Sequence, residues 1–79
     1  MYDETIELLS KLADTENFIV HIKESDKYAV DVNEVREPIA PDIFDHALGN
    51  KLIKKLADLE DEDFYVISDR GKEYLAAAR

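Results

Sequence analysis

Cysteine is absent from this 79-residue chain, and glycine and proline occur only twice each. Without cysteine there is no disulfide framework and no thiolate metal site, so packing alone or pairing with a second copy must stabilise so small a core. The two glycines, Gly49 and Gly71, cannot form a glycine-rich loop that cradles phosphates. These absences exclude two common kinds of site and lead us to expect a possible homodimer.

Long apolar runs and an excess of basic residues are also lacking. No stretch approaches the roughly 18 apolar residues that a membrane span needs, and residues 1–4 do not resemble a signal peptide, so we expect a cytoplasmic protein with no membrane partner. Nineteen acidic and ten basic residues give a net charge of −9, which repels phosphate backbones. Most of the excess acid lies in residues 1–50.

The composition and the first half of the sequence predict one α+β domain spanning residues 1–79. Apolar residues at helical spacing predict a helix from Asp3 to Ala13. Alternation of apolar and polar residues predicts strands over 18–23 and 28–33, joined by a turn into a hairpin. Because Pro38 and Pro41 disfavour helix just before them, residues 33–40 are predicted as an extended connection.

Residues 43–59 have helical periodicity, but their apolar face changes direction in the middle of the segment. The apolar residues before Gly49 and those after Asn50 lie on different sides of one helical wheel. We therefore predict two helices, the first opened by Pro41, with a tight turn at Gly49-Asn50 that has a left-handed backbone. One continuous, strongly buried helix is the alternative.

The end of the chain is predicted to add a third strand and a last helix. The acidic run 60–63 is predicted as a solvated loop, and 64–67 as a strand. Ser68 or Asp69 caps the last helix. The predicted fold is therefore α+β in the order α-β-β-α-α-β-α, with a three-stranded antiparallel sheet.

The segment 65–75 contains a strand that ends in a hydroxyl residue, a glycine three residues later, and then an aromatic residue followed by leucine, here Ser68, Gly71, Tyr74 and Leu75. This motif resembles the end of winged-helix proteins of the MarR, PadR and phage-encoded types. The hydroxyl would cap the helix, and the glycine would let that helix lie close to the sheet. The resemblance implies a winged-helix-like domain in which the segment 50–59 is the recognition helix.

Two charged segments are candidate contact sites. If the resemblance extends to function, the polar residues exposed on the second helix would meet a nucleic acid or a protein: Asn50, Lys51, Lys54 and Lys55. Asp58 would lie on the same face, where it would pair with lysines and repel phosphate. The second segment is the acidic run of Glu60, Asp61, Glu62 and Asp63, which could imitate DNA or simply keep the protein soluble.

No metal, cofactor or catalytic site is predicted. His21 and His46 lack a second ligand at metal-binding spacing, and no nucleophile lies beside His46 and its neighbours Asp42 and Asp45. We therefore predict a small acidic, non-catalytic interaction module that acts through contact with a protein partner. A DNA-binding transcriptional regulator and an acidic DNA mimic of the phage or mobile-element type are the alternatives.

Overall fold

The computed structural model of the protein describes residues 3–14 and 16–78, which form three helices and five strands. In chain order they are α1 (Asp3–Leu12), β1 (Phe18–Ile22), β2 (Lys27–Val32), β3 (Val35–Ile39), α2 (Pro41–Gly49), β4 (Ile53–Asp58), β5 (Glu62–Ile67) and α3 (Asp69–Ala78). All strand pairs are antiparallel, in the order β3-β2-β1-β5-β4. The α+β class is confirmed, but the three-stranded sheet and the predicted element order are wrong.

Strand β3 turns the predicted extended connection into part of the sheet. Asn33 and Glu34 join β2 to β3 and both have positive φ angles, 53° and 69°. A two-residue turn with positive φ at both positions suits the right-handed twist of antiparallel strands. Pro38 lacks the N–H that an inner strand would need, and it is tolerated because β3 lies at the edge of the sheet.

The second helix predicted after Gly49 is strand β4, so neither the helical pair nor the single long helix is formed. Helix α2 ends at Gly49, and the left-handed residue that follows is Lys51, with φ 59°, rather than Gly49 or Asn50. Leu52 and Ile53 are buried as β4 begins. A β-bulge between Lys55 and Ala57 then interrupts the strand. The recognition helix predicted over 50–59 is therefore wrong.

All three helices lie on one face of the sheet and bury a common core with it. Leu9, Ile19 and Leu52 are among the residues with almost no exposed surface. An aromatic series crosses the two layers: the Tyr28 ring stacks on Phe44 with centroids 4.1 Å apart, and Phe44 meets the Tyr65 ring edge-on at 5.0 Å. Such pairs add to the stabilisation that apolar burial already provides.

The opposite face of the sheet has no helix over it within the described residues. Its centre is nevertheless closed, because Val20 and Ala29 are buried. An ion pair at 3.2 Å joins Arg36 of β3 to Glu62 of β5 across the two strands between them. No helix in the described part of the chain is long and apolar enough to cross a membrane.

The terminal motif forms the cap and the close helix packing that the sequence predicts. Ser68 Oγ accepts a hydrogen bond from the Gly71 N–H at 3.0 Å and so caps α3. The same hydroxyl donates to the Lys51 carbonyl oxygen at 2.6 Å. A β-carbon at Gly71 would overlap the Leu52 carbonyl oxygen. The capping by Ser68 and the close approach at Gly71 are therefore confirmed, and together they hold α3 against the start of β4.

Candidate interaction surface

The four polar residues predicted to share a helix face lie in two different elements. Asn50 and Lys51 form the turn after α2, where Asn50 Nδ2 donates to the His46 carbonyl oxygen at 2.8 Å. Lys54 and Lys55 are neighbours in β4 and therefore point to opposite faces of the sheet. Lys55 lies over the Tyr65 ring at 5.9 Å, on the helix side. The structure therefore does not bring these four side chains together on one helix face.

The acidic run is divided in the same way. Glu60 and Asp61 are exposed in the turn between β4 and β5. Glu62 pairs with Arg36, and Asp63 is only 6% exposed. The prediction of a solvated loop over 60–63 is therefore wrong for Glu62 and Asp63, which begin β5. Asp63 also faces the helix layer.

Asp63 is the centre of a charged cluster that connects three strands. Its Oδ1 lies 3.5 Å from Lys23 Nζ and 3.6 Å from Lys55 Nζ, and its Oδ2 lies 3.3 Å from Nδ1 of His21. The other nitrogen of His21 is 2.7 Å from Asp26 Oδ1. Both imidazole nitrogens thus contact carboxylates. Asp63 Oδ1 is buried and has these two lysines at ion-pair distance, but no hydrogen-bond partner among the described residues.

A second ion pair extends this cluster at the surface. Lys23 Nζ donates to Asp58 Oδ1 at 2.7 Å and to the Leu59 carbonyl oxygen at 2.6 Å. The hydrogen bond to Asp58 raises the pKa of Lys23, and the same bond holds the pKa of Asp58 below its ordinary value of 3.8. These contacts tie β1 to the β4–β5 turn.

His46 lies between the first two helices. Its Nδ1 is hydrogen-bonded to Thr5 Oγ1 at 3.1 Å, and Thr5 is fully buried. Asp42 and Asp45 are exposed. Within the described residues, no group of three or more His, Asp or Glu side chains is arranged to hold a metal ion. The Thr5 contact gives His46 a role in joining α1 to α2.

A groove of about 360 Å³ opens beside the edge strand β4, and we call it the β4 groove. Its apolar lining comes from the end of α1 and from β4 and β5: Leu12, Ala13, Leu56, Val66 and Ile67. Leu56, at the bulge, is 64% exposed. Lys54, Lys72 and Asn17 complete the lining. The β4 groove therefore combines an apolar wall with two lysines.

Asn17 has one satisfied and one unsatisfied polar atom at this groove. Its Nδ2 donates to the Lys11 carbonyl oxygen at 2.8 Å, at the end of α1. Its Oδ1 is buried without a hydrogen-bond partner among the described residues. Burying an acceptor without a hydrogen bond costs free energy, so Asn17 Oδ1 is an unfavourable feature of the lining.

Two cations without a carboxylate partner in the described part of the chain lie at the β4 groove. Among the described residues, five basic side chains form no ion pair: Lys27, Lys51, Lys54, Arg70 and Lys72. Of these five, Lys54 and Lys72 line the groove, whereas Lys27, Lys51 and Arg70 do not. The remaining lysines and arginines of the described residues, such as Lys11 and Arg36, pair with carboxylates. The groove is thus locally basic on an acidic protein.

Sequence reasoning missed this groove because it placed Leu56 on the buried stripe of a helix. The sequence predicts Lys54 on a helix face and gives no sign that Lys72 lies near it. Comparison with family models, curated proteins and solved structures finds no match to this chain. The features of the chain that bear on its function are therefore those of its own surface, above all the β4 groove.

Proposed function

We propose that this chain is a non-catalytic module that binds another protein through strand β4 and the β4 groove. The observation that carries the proposal is Leu56, which is 64% exposed beside an apolar groove at an unpaired sheet edge. An extended peptide can add a strand to such an edge, with main-chain hydrogen bonds for affinity and side-chain pockets for specificity. Exposed apolar surface next to a groove is typical of docking sites.

The two edges of the sheet differ in ways that favour β4 as the binding edge. Strand β3 carries Pro38 opposite Ala29, and a proline at an edge blocks further strand pairing. Strand β4 has no proline. Its bulge and its lysines limit uncontrolled pairing with other strands. These features support a partner of matching shape and charge.

Further contacts favour protein binding over the two alternatives. Both imidazoles are hydrogen-bonded in ways that stabilise the fold, which supports a role without catalysis. Lys55 is paired with Asp58 and Asp63, so it is a poor phosphate ligand. A DNA mimic needs a continuous array of carboxylates, but Asp63 is buried and Glu62 is paired with Arg36.

Selection from a random peptide library tests the proposal. The wild-type chain would be the bait, and affinities of the selected peptides would be measured by fluorescence anisotropy. We expect Leu56→Asp to lower the affinity for the selected peptides about tenfold or more, because a charge would replace the apolar contact. Leu59→Asp is the matched control, since Leu59 is also exposed, at 49%, but does not line the groove. Peptides that bind both variants equally would disprove the use of this edge.

A further inference from the structure

The two lysines of the β4 groove come from different elements and are both available to a ligand. Lys54 belongs to β4 and Lys72 to α3, and both are exposed. Neither forms an ion pair within residues 3–14 and 16–78. The acidic residues nearest to Lys72 along α3, Asp69 and Glu73, do not line the groove. An anionic ligand in the groove would therefore meet two lysines that no carboxylate of the described residues neutralises.

The apolar part of the β4 groove determines what else the ligand needs. Leu12, Val66 and Leu56 line it. Its volume of about 360 Å³ is at the low end of the roughly 300–1,000 Å³ range of ligand pockets. One or two apolar side chains fit that size. An occupant that matches both the wall and the lysines has an apolar anchor with carboxylates close to it.

We infer that the β4 groove binds an acidic peptide segment of another protein, with a large apolar side chain against Leu56 and carboxylates that meet Lys54 and Lys72. This inference rests on the proposed function and specifies the partner. Opposite charges at the rim of an interface speed association and exclude partners of the wrong sign. Because the chain as a whole has a net charge of −9, the attraction for acidic segments is confined to the groove.

Two other anionic occupants match the groove less well. A nucleic acid would satisfy the lysines, but the apolar wall formed by residues such as Leu12 and Val66 offers it no aromatic ring for base stacking. A second copy of this chain carries the same charge of −9, so the two copies repel each other as they approach. A short acidic peptide carries less negative charge than a second copy, so the overall repulsion is weaker while its carboxylates can still meet the two lysines.

Charge reversal in the groove provides the test. We expect the selected peptides to be enriched in Asp and Glu next to a large apolar residue. The double variant Lys54→Glu/Lys72→Glu should bind them about tenfold or more weakly, and raising the salt from about 50 to 300 mM should weaken wild-type binding in the same direction. Peptides in which the acidic residues are replaced by Lys should regain affinity for the double variant.

Lys27→Glu/Lys51→Glu is the charge-matched control. Both lysines are without ion pairs among the described residues and neither lines the groove, so this variant should change affinity less than about threefold. Equal losses in both double variants would show that net charge, not the groove, attracts the peptide, and would overturn the inference.

The outcomes separate this inference from the proposed function. If selected peptides depend on Leu56 but contain no acidic enrichment and bind Lys54→Glu/Lys72→Glu normally, the inference fails and the protein-binding function stands. If no peptide depends on Leu56, the proposed function itself fails. If a single-stranded oligonucleotide competes with the peptide, the natural occupant of the groove is a nucleic acid. If sedimentation shows dimers that dissociate when Lys54 and Lys72 are changed to Glu, the occupant is a second copy of the chain. Either result overturns the inference.

Discussion

The carbonyl oxygen of Leu52 occupies the space where a β-carbon at Gly71 would lie. The same oxygen accepts a hydrogen bond from the Ser68 N–H at 3.0 Å, so it cannot move away without loss of that bond. The β-carbon would also lie 2.8 Å from Cγ1 of Ile67. We expect Gly71→Ala to lower the free energy of unfolding by about 2–3 kcal/mol, measured by urea denaturation.

Gly49 provides the matched control for this prediction. A β-carbon there would meet nothing within 4 Å, and Gly49 has no positive φ. Because alanine favours helix over glycine, Gly49→Ala should leave the free energy of unfolding unchanged or raise it by up to about 0.5–1 kcal/mol. Equal destabilisation by the two variants would contradict the close contact between α3 and the start of β4.

The turn between β2 and β3 contains a strained residue whose replacement should stabilise the fold. Glu34 has a φ of 69°, a left-handed conformation that costs a residue with a side chain about 1–2 kcal/mol. Glycine relieves this strain, although its greater freedom in the unfolded chain offsets part of the gain. We expect Glu34→Gly to raise the free energy of unfolding by about 0.5–1 kcal/mol.

Asn33, the other residue of this turn, is the natural comparison for Glu34. Its φ is 53°, but asparagine tolerates the left-handed region better than glutamate does. Asn33→Gly should therefore stabilise the protein less than Glu34→Gly in the same denaturation experiment. Loss of stability in Glu34→Gly would show that the glutamate side chain, rather than its backbone, determines the effect.

The sequence predicts an element correctly where its periodicity is uninterrupted. Apolar alternation predicts a strand over 18–23, where β1 forms, and helical spacing predicts a helix over 3–13, where α1 forms. Strand β3 was missed because its turn lacks the glycine that usually marks such hairpins, and because Pro38 reads as a loop residue. Strand β4 was missed because the bulge between Lys55 and Ala57 breaks the alternation and leaves apolar spacings that mimic a helix.

The candidate surface was less accessible to sequence reasoning than the fold. Lys54 could be identified as an exposed cation in any element. Its partnership with Lys72 depends on α3 lying beside β4, which is a tertiary feature. Leu56 has the apolar character of a core residue, but it lies at the bulge of an edge strand, where it is exposed. Asp63 is predicted in a solvated run, because the sequence does not show that Lys23, which follows β1, and Lys55 of β4 lie beside it.

The buried carboxylate of Asp63 should matter more for stability than its exposed neighbour Asp61. The side chain of Asp63 is 8% exposed, and it lies within salt-bridge distance of His21, Lys23 and Lys55. Because the two lysines can be rehydrated when the carboxylate is removed, we expect Asp63→Ala to cost only about 1–2 kcal/mol. Asp61→Ala should change the free energy of unfolding by less than about 0.5 kcal/mol. Similar losses in both variants would contradict the structural role of the cluster.

The ion pair between Lys23 and Asp58 predicts a specific dependence on pH. The hydrogen bond from Lys23 keeps the pKa of Asp58 below 3.8 in the folded protein. A lowered pKa means that the fold favours the carboxylate, so this contribution to stability is present above pH 3.8 and is lost as the pH falls through the lower, folded value. A carboxyl NMR titration of the folded protein measures that pKa directly.

Lys23→Met should raise the pKa of Asp58 toward 3.8, because the largest cause of the shift is removed. Lys55 lies 3.7 Å from the same carboxylate and should retain part of the effect. Lys27→Met removes a lysine that has no ion pair among the described residues, so it should leave the titration of Asp58 unchanged. An unaltered Asp58 pKa in Lys23→Met would mean that the 2.7 Å contact does not persist in solution, and that β1 is held to the β4–β5 turn by the Asp63 cluster and the main-chain bonds alone.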